Sequence, residues 1–346
     1  AQAVLAHDLL RATWLLDAKS APAMLSRLAT LLVGAPLGAA WDTHGFPWFD
    51  QWKVEEYYLM PNGKKMPLPL RLHSHETVLT GTADLDAVRA GFKDEYYTPV
   101  SVGGKAAVQV WMNNFTDTDC GNADTKNPYL ETWTSTWVTP KDSPLELPYE
   151  SDMSLIVADP KARIWIHRVI LGDAPGVDTS RNDPALGALL GGHNVWGFPK
   201  HHVKAEIQYE YKGSDRVEFH ARHLSGAEQF VDSLKVSLQL SEKSPGSVAV
   251  PTNVRTPDDG VIGGPLFMVQ QTLFGEAFNT TQNIAPWNST TDHLELGTDD
   301  YYSSVLRAWR FEPKLKMHTD DFQIVAFKPS NWQGKAAPAA QPDITA

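Results

Sequence analysis

Lys200 stands directly behind Trp196-Gly197-Phe198-Pro199, so a primary amine follows a run of apolar and aromatic side chains that begins at Val195. Pro199 fixes its own φ and holds Phe198 extended, which stiffens the approach to the lysine. Gly197 lets the backbone bend or lets a ligand come close. An amine crowded by aromatic rings loses hydration, and its neutral form gains. A neutral lysine attacks a carbonyl carbon and forms a Schiff base. His193, Trp196 and Phe198 lie close enough in the chain to line a substrate held there, and His201 follows immediately. On residue types alone Lys200 can equally be a solvated residue at the start of a strand.

A second constellation offers different chemistry. His73-Ser74-His75-Glu76 falls on a predicted strand, where alternation puts both histidines on one face, as in cupin-type metal sites. His220 or His223 would be the third ligand of a metal-dependent enzyme using His73 and His75. Acyl transfer has less support. There is no Gly-x-Ser-x-Gly elbow, and Cys120, the single cysteine, sits in a polar loop. Rossmann and P-loop glycine patterns are also missing.

The elements that must position these residues read mostly as strands. Two apolar stripes of helical period at residues 1–33, broken near Pro22, predict paired helices. From Trp52 the period shifts toward two. Lys53–Leu59, the Pro61-Asn62-Gly63 turn and Met66–Leu79 predict a hairpin. A short helix over Thr82–Phe92 is capped by Asp84, and strands follow at Ala107–Phe115 and Tyr129–Val138. On the second of these, Tyr129, Glu131, Trp133 and Trp137 share a face. Strands are expected at Leu155–Ala158, Arg163–Leu171, Val203–Tyr211, Arg216–Arg222, Leu234–Leu240, Leu266–Phe274, His293–Leu296, Ser304–Phe311 and Phe322–Ala326. Between them Asp183-Pro184 begins a short helix that the Gly191-Gly192 pair should stop.

Trp196-Gly-Phe-Pro-Lys200 with a following strand resembles the Schiff-base lysine segment of the acetoacetate decarboxylase-like superfamily. Thr82-Ala-Asp-Leu-Asp-Ala-Val-Arg89, Val108-Gln-Val-Trp-Met112 and Tyr129-Leu-Glu131 are similar to its early helix and two following strands. Arg307–Lys314 and Asp320–Phe327 look like its closing strands, so the likeness spans roughly residues 65–328. The resemblance implies that Lys200 is the nucleophile and Glu131 its acidic partner, shuttling protons or orienting substrate. It implies a substrate pocket touched by Trp111, Trp133 and Thr82. The departures are informative. His201 stands where the decarboxylase has a second lysine, Thr82 where it has an arginine, and Trp111 where it has a second glutamate. Losing the arginine removes the fork that grips a keto-acid carboxylate, and Trp111 makes the pocket more apolar.

Composition closes off other classes. With 346 residues, 42% hydrophobic and 21% charged, the chain reads as globular. A net charge of −11 with no basic cluster excludes nucleic acid as a partner. No apolar run reaches membrane-spanning length. Sequons at Asn114, Asn279 and Asn288 point toward a secreted or vacuolar glycoprotein. The expected organisation is an N-terminal helical extension over 1–40, a β-rich domain over 41–330 and a loose tail over 331–346. The expected fold is α+β and mainly antiparallel, with a bent, barrel-like sheet of the acetoacetate decarboxylase-like type. The expected function is a lyase acting on a small ketone or β-keto acid by decarboxylation or aldol-type chemistry through Lys200. It needs no cofactor and could assemble as a homo-oligomer. The alternative from another class is a non-catalytic binding protein for a small apolar metabolite.

Overall fold

A computed structural model describes residues 56–326 apart from 60–64, 69, 93, 95, 119–126, 160, 178–182, 197, 199, 202–204, 225–228, 241–243, 246–251, 256–266 and 274–280. The chain divides into residues 1–53 and 54–346, and the described architecture is that of the second unit. The expected N-terminal helices, the C-terminal tail and Cys120 lie outside the described residues.

β1 (Glu56–Leu59) and β2 (Lys65–Leu68) form the expected antiparallel hairpin. β3 (Leu70–Ala83) is followed by α1 (Leu85–Gly91), whose Asp84 cap accepts the Ala87 N–H at 2.9 Å. Then come β4 (Tyr97–Pro99), β5 (Ser101–Val102), β6 (Lys105–Thr118), β7 (Tyr129–Pro140) and β8 (Glu146–Leu147). A 3₁₀ stretch, Glu150–Ala158, leads to β9 (Arg163–Asp173), α2 (Pro184–Trp196) and the two-residue β10 (Lys200–His201). β11 (Ala205–Tyr211), β12 (Arg216–Leu224) and β13 (Phe230–Gln239) precede β14 (Ser244–Pro245), β15 (Thr252–Arg255), β16 (Phe267–Leu273), β17 (Thr281–Pro286) and β18 (His293–Leu296). α3 (Ser303–Ala308) and the fifteen-residue β19 (Glu312–Ala326) complete the described chain.

The fold is α+β with mostly antiparallel strands. Thirteen of the strands make one bent sheet in which β3 pairs with β19 and β6, β6 with β7, and β7 with β9. β10 and β15 add to β9 in parallel. A separate four-stranded sheet has the order β11-β12-β13-β18. The central strands are covered on both faces, so their burial is nearly continuous rather than alternating. One face carries Phe115, Tyr129, Trp137, Val169 and Leu171 against Ala185, Ala188 and Leu189 of α2. The other carries Leu79, Val110, Met112, Leu130 and Ile170 against Phe219, Leu234 and Val236 of the smaller sheet, and Leu306 of α3. Among the described residues no helix is long and apolar enough to cross a membrane.

Three expected strands take other forms. Leu155–Ala158 belongs to the 3₁₀ stretch, where Met153 and Ile156, three residues apart, turn inward. Ser304–Phe311 begins in α3, because Asp299 accepts the N–H groups of Tyr301, Tyr302 and Ser303 and so nucleates a turn. Arg307–Lys314 and Asp320–Phe327 are not two closing strands; the first begins in α3, and one strand, β19, runs from Glu312 to Ala326.

Candidate active site

Lys200 and Glu131 are 69 residues apart in sequence and reach each other through strand register. Glu131 pairs with Leu171 of β9, and Lys200 of β10 pairs with Val169 two positions earlier on that strand. Both side chains fall on the face covered by α2. Lys200 Nζ donates to Glu131 Oε2 at 2.6 Å, with the lysine 7% and the glutamate 5% exposed. The ammonium also lies 5.5 Å from the Phe198 ring centroid and 5.8 Å from that of Tyr129. An ion pair this deep sacrifices much of its hydration, so the short charge-assisted bond must offset that cost.

The local chain explains how the lysine gets there. Asp183 caps α2 by accepting the Leu186 N–H at 2.7 Å, and Pro184 occupies its first turn. The helix does not stop at Gly191-Gly192, as the glycine pair led one to expect, but continues to Trp196. These glycines serve contact instead. A Cβ on Gly192 would lie 2.8 Å from Lys200 Cδ and Cε and 3.3 Å from Nζ, and one on Gly191 would meet Met66. After the helix, Phe198 N–H donates to Gly192 O at 3.0 Å and Lys200 N–H to Phe198 O at 2.7 Å, turning the chain sharply into β10.

Gly192→Ala tests this close approach. Alanine gains about 1 kcal/mol in a helix interior, whereas overpacking a dense site costs about 1–3 kcal/mol, so the clash prevails and displaces the amine. Reductive trapping at Lys200 should fall more than about tenfold while far-UV circular dichroism is unchanged. Trapping at the wild-type rate would show that Lys200 tolerates the crowding.

Trp111 and Trp133 stack 4.5 Å apart with planes 4° from parallel, one pleat along from Glu131 on the same face. With its amide oxygen toward Trp133, Asn113 accepts that indole N–H at 2.9 Å and donates to Met112 O at 3.3 Å. Thr82 is buried but stands six positions beyond Glu76 on β3, about 20 Å along the strand, so it is not brought to Lys200. For His193, Trp196 and His201 the backbone alone is described; His201 pairs in register with Ile170.

Sequence reasoning missed Glu76 as a member of this face. It is 1% exposed, and register aligns it with Asn113 and then Glu131 across β3, β6 and β7. Ser74 Oγ donates to its Oε1 at 3.1 Å, while Oε2 has no hydrogen-bond partner. Burial holds the Glu76 carboxyl well above the usual carboxylate range; the Ser74 bond opposes this and the nearby Glu131 charge reinforces it.

His73 and His75 do share a face, with ring centroids 6.4 Å apart, but alternation on β3 makes it the face opposite Glu76. His73 Nδ1 bonds Thr116 Oγ1 at 2.6 Å, and His75 Nδ1 lies 3.6 Å from Asp320. His220 bonds Asp232 and His223 bonds Ser233, so neither joins the pair. Among the described residues no group of three or more His, Cys, Asp or Glu side chains is placed to hold a metal ion. Of the sequons, Asn114 is half-buried within β6 between β3 and β7. Asn288 is exposed in a turn where its Oδ1 accepts the Thr290 N–H, and Asn279 lies outside the described residues.

No family model matches the sequence, and no curated protein matches it. Among solved structures the chain is similar to the enduracididine biosynthesis enzyme MppR complexed with pyruvate, at 11% identity and a TM-score of 0.48, covering 80% of this chain and 97% of that one. MppR complexed with the condensation product of pyruvate and imidazole 4-carboxaldehyde gives 10% identity, a TM-score of 0.46, and coverage of 80% and 96%. An acetoacetate decarboxylase-like enzyme from Sphingomonas wittichii RW1 gives 9% identity, a TM-score of 0.46, and coverage of 80% and 99%.

Proposed function

We propose that this protein is an enzyme that joins Lys200 to the carbonyl carbon of a small molecule as a Schiff base and uses the resulting iminium as an electron sink. The observation that carries this reading is the buried Lys200–Glu131 pair at 2.6 Å. A surface lysine needs no such housing, and a purely structural pair at this depth is readily replaced by apolar packing.

The steps balance without an external cofactor. Glu131 takes one proton from the Lys200 ammonium, and the free amine attacks the carbonyl carbon. The carbonyl oxygen departs as water with the two hydrogens the ammonium loses, leaving a protonated imine in place of the ammonium. Glu131 therefore faces one positive charge before and after, and little reorganisation is required. The electron pair of a bond broken next to the imine carbon, whether C–C or C–H, flows into the iminium to give an enamine. Reprotonation and hydrolysis then release product and restore the amine. Phe198, Tyr129 and the Trp111–Trp133 stack exclude water from the cation.

Borohydride reduction in the presence of ketones, aldehydes and keto acids tests the reading. One lysine should gain the reduced adduct mass, and peptide mapping should place it at Lys200 at least about tenfold above any other lysine. Failure of every carbonyl compound to label Lys200 selectively would leave the pocket as a binding site without this chemistry.

A further inference from the structure

We propose that Glu76 is a second acid–base residue of the Lys200 site, that its Oε2–H hydrogen-bonds the substrate's carbonyl oxygen, and that the site takes an uncharged ketone or aldehyde. This rests on the Schiff-base reading and deepens it.

The hydrogen-bond pattern around Glu76 locates its proton. Ser74 Oγ occupies Oε1, so the neutral carboxyl that burial and the Glu131 charge favour carries its hydrogen on Oε2. That atom is fully buried and has no acceptor, although a buried O–H left without a partner is costly. Register places its neighbours on the adjacent strands. β19 presents Thr319 in register, fully buried and with its own Oγ1 unpartnered. β6 presents Asn113, β7 presents Glu131, and Lys200 stands behind Glu131. An acidic O–H thus shares the amine's face of the sheet, two strands across from Glu131, with the Thr319 hydroxyl one strand further out. This arrangement suits an oxygen that must receive a proton.

The proton traffic closes. Lys200 passes one proton to Glu131 and attacks. The carbonyl oxygen takes the Glu76 proton and becomes the carbinolamine hydroxyl, after which the new C–N nitrogen returns a proton to Glu76. Glu131 then gives its proton to the departing hydroxyl. Water leaves, the iminium faces the Glu131 carboxylate, and Glu76 is neutral again.

Charge selects the substrate. Among the described residues, the cations nearest this region are committed elsewhere or face away from it. Arg71 alternates to the face opposite Glu76, Arg168 lies over the Tyr301 ring, and Lys316 bonds Asp292. Lys200 is already matched by Glu131. A substrate carboxylate would therefore enter as an unpaired buried anion beside two carboxyl groups, which is strongly unfavourable. The Trp111–Trp133 stack offers a flat apolar wall to an uncharged molecule instead.

The test compares 2-hexanone with 5-oxohexanoate, methyl ketones of one chain length that differ in a terminal carboxylate. Borohydride trapping at Lys200 is followed in wild type, Glu76→Gln and Glu76→Ala. Wild type should trap 2-hexanone at least about tenfold faster than the keto acid. Glu76→Gln should trap 2-hexanone at least about thirtyfold more slowly, and its thermal midpoint should rise because a neutral amide replaces the buried acid. Formate should restore trapping in Glu76→Ala in a concentration-dependent way, whereas chloride at equal ionic strength should not. Equal labelling by the two ketones would overturn the substrate claim. A wild-type rate in Glu76→Gln, or no rescue by formate in a folded Glu76→Ala, would overturn the role of Glu76 and leave the Schiff-base reading intact. If neither ketone labels Lys200 in wild type, both readings fall together.

Discussion

Replacing Lys200 by methionine is expected to abolish the trapped adduct and to cut α-deuterium exchange into 2-hexanone by on the order of 10³ or more. Lys200 is the amine held against Glu131 at 2.6 Å, and methionine offers no nucleophile in its place. Methionine matches the length and apolar character of the lysine stem, so packing against Phe198 and Tyr129 is retained. Electrostatics is where the fold pays. Glu131, 5% exposed, loses the cation 2.6 Å away, and an uncompensated buried carboxylate costs roughly 3–5 kcal/mol unless it takes up a proton. Lys200→Met should therefore lower the urea midpoint markedly at pH 8 and less at pH 5. Lys200→Met with Glu131→Gln should recover most of the loss without recovering exchange. If the single variant is as stable as wild type at both pH values, the pair is not electrostatically coupled. Persistent exchange in either variant would assign the chemistry to another residue.

How much of this arrangement can be read from the chain depends on whether the signal is local. Asp84 before Leu85–Gly91, and Asp183-Pro184 before Pro184–Trp196, announce their helices because a cap acts within one turn. The long central strands are legible from their runs of Val, Thr and aromatic residues. The lysine itself is legible because Gly-Phe-Pro directly precedes it in the chain. Glu76 is not. Alternation separates it from His73 and His75, but its neighbourhood with Glu131 exists only once β3, β6 and β7 are in register, and that register is set by distant contacts. A bulge between His73 and Ser74 opposite Thr116 shifts that register further, and nothing in the sequence marks it.

The failures have equally particular causes. Ser304–Phe311 sets Val305, Trp309 and Phe311 at even spacing, which a strand would place on one face. The Asp299 carboxylate decides the matter by capping three backbone N–H groups, and Asp299-x-x-x-Ser303 is a usable N-terminal signal. Gly191-Gly192 resembles a helix stop by composition. What the pair supplies is room for Lys200 and Met66, a requirement visible only in three dimensions.

Acid should destabilise the folded protein through His167, by on the order of 3 kcal/mol between pH 6.5 and pH 4. The imidazole is buried on β9, 4.5 Å edge-on from the Trp309 ring and flanked by Phe92 and Trp165, with no partner at Nε2. Burial, aided by the adjacent Arg168 charge, pulls its pKa down from 6.5 to about 3. Between those two values the unfolded chain binds a proton that the folded chain refuses, so stability falls as pH drops from 6.5 toward 3. Glu76 acts with the opposite sign. Its carboxyl is held above the usual range when folded, so the stability it contributes is present in acid and lost as pH rises. The two effects partly cancel in the wild type, and substitutions separate them. His167→Phe keeps the edge contact with Trp309 but cannot be protonated, so its urea midpoint should no longer fall between pH 6.5 and 4 and should rise as Glu76 takes up its proton. Glu76→Gln removes the compensating group and should steepen the loss over the same interval. Parallel curves for wild type and His167→Phe would mean that other groups set the acid limb, and that His167 accepts its proton without unfolding.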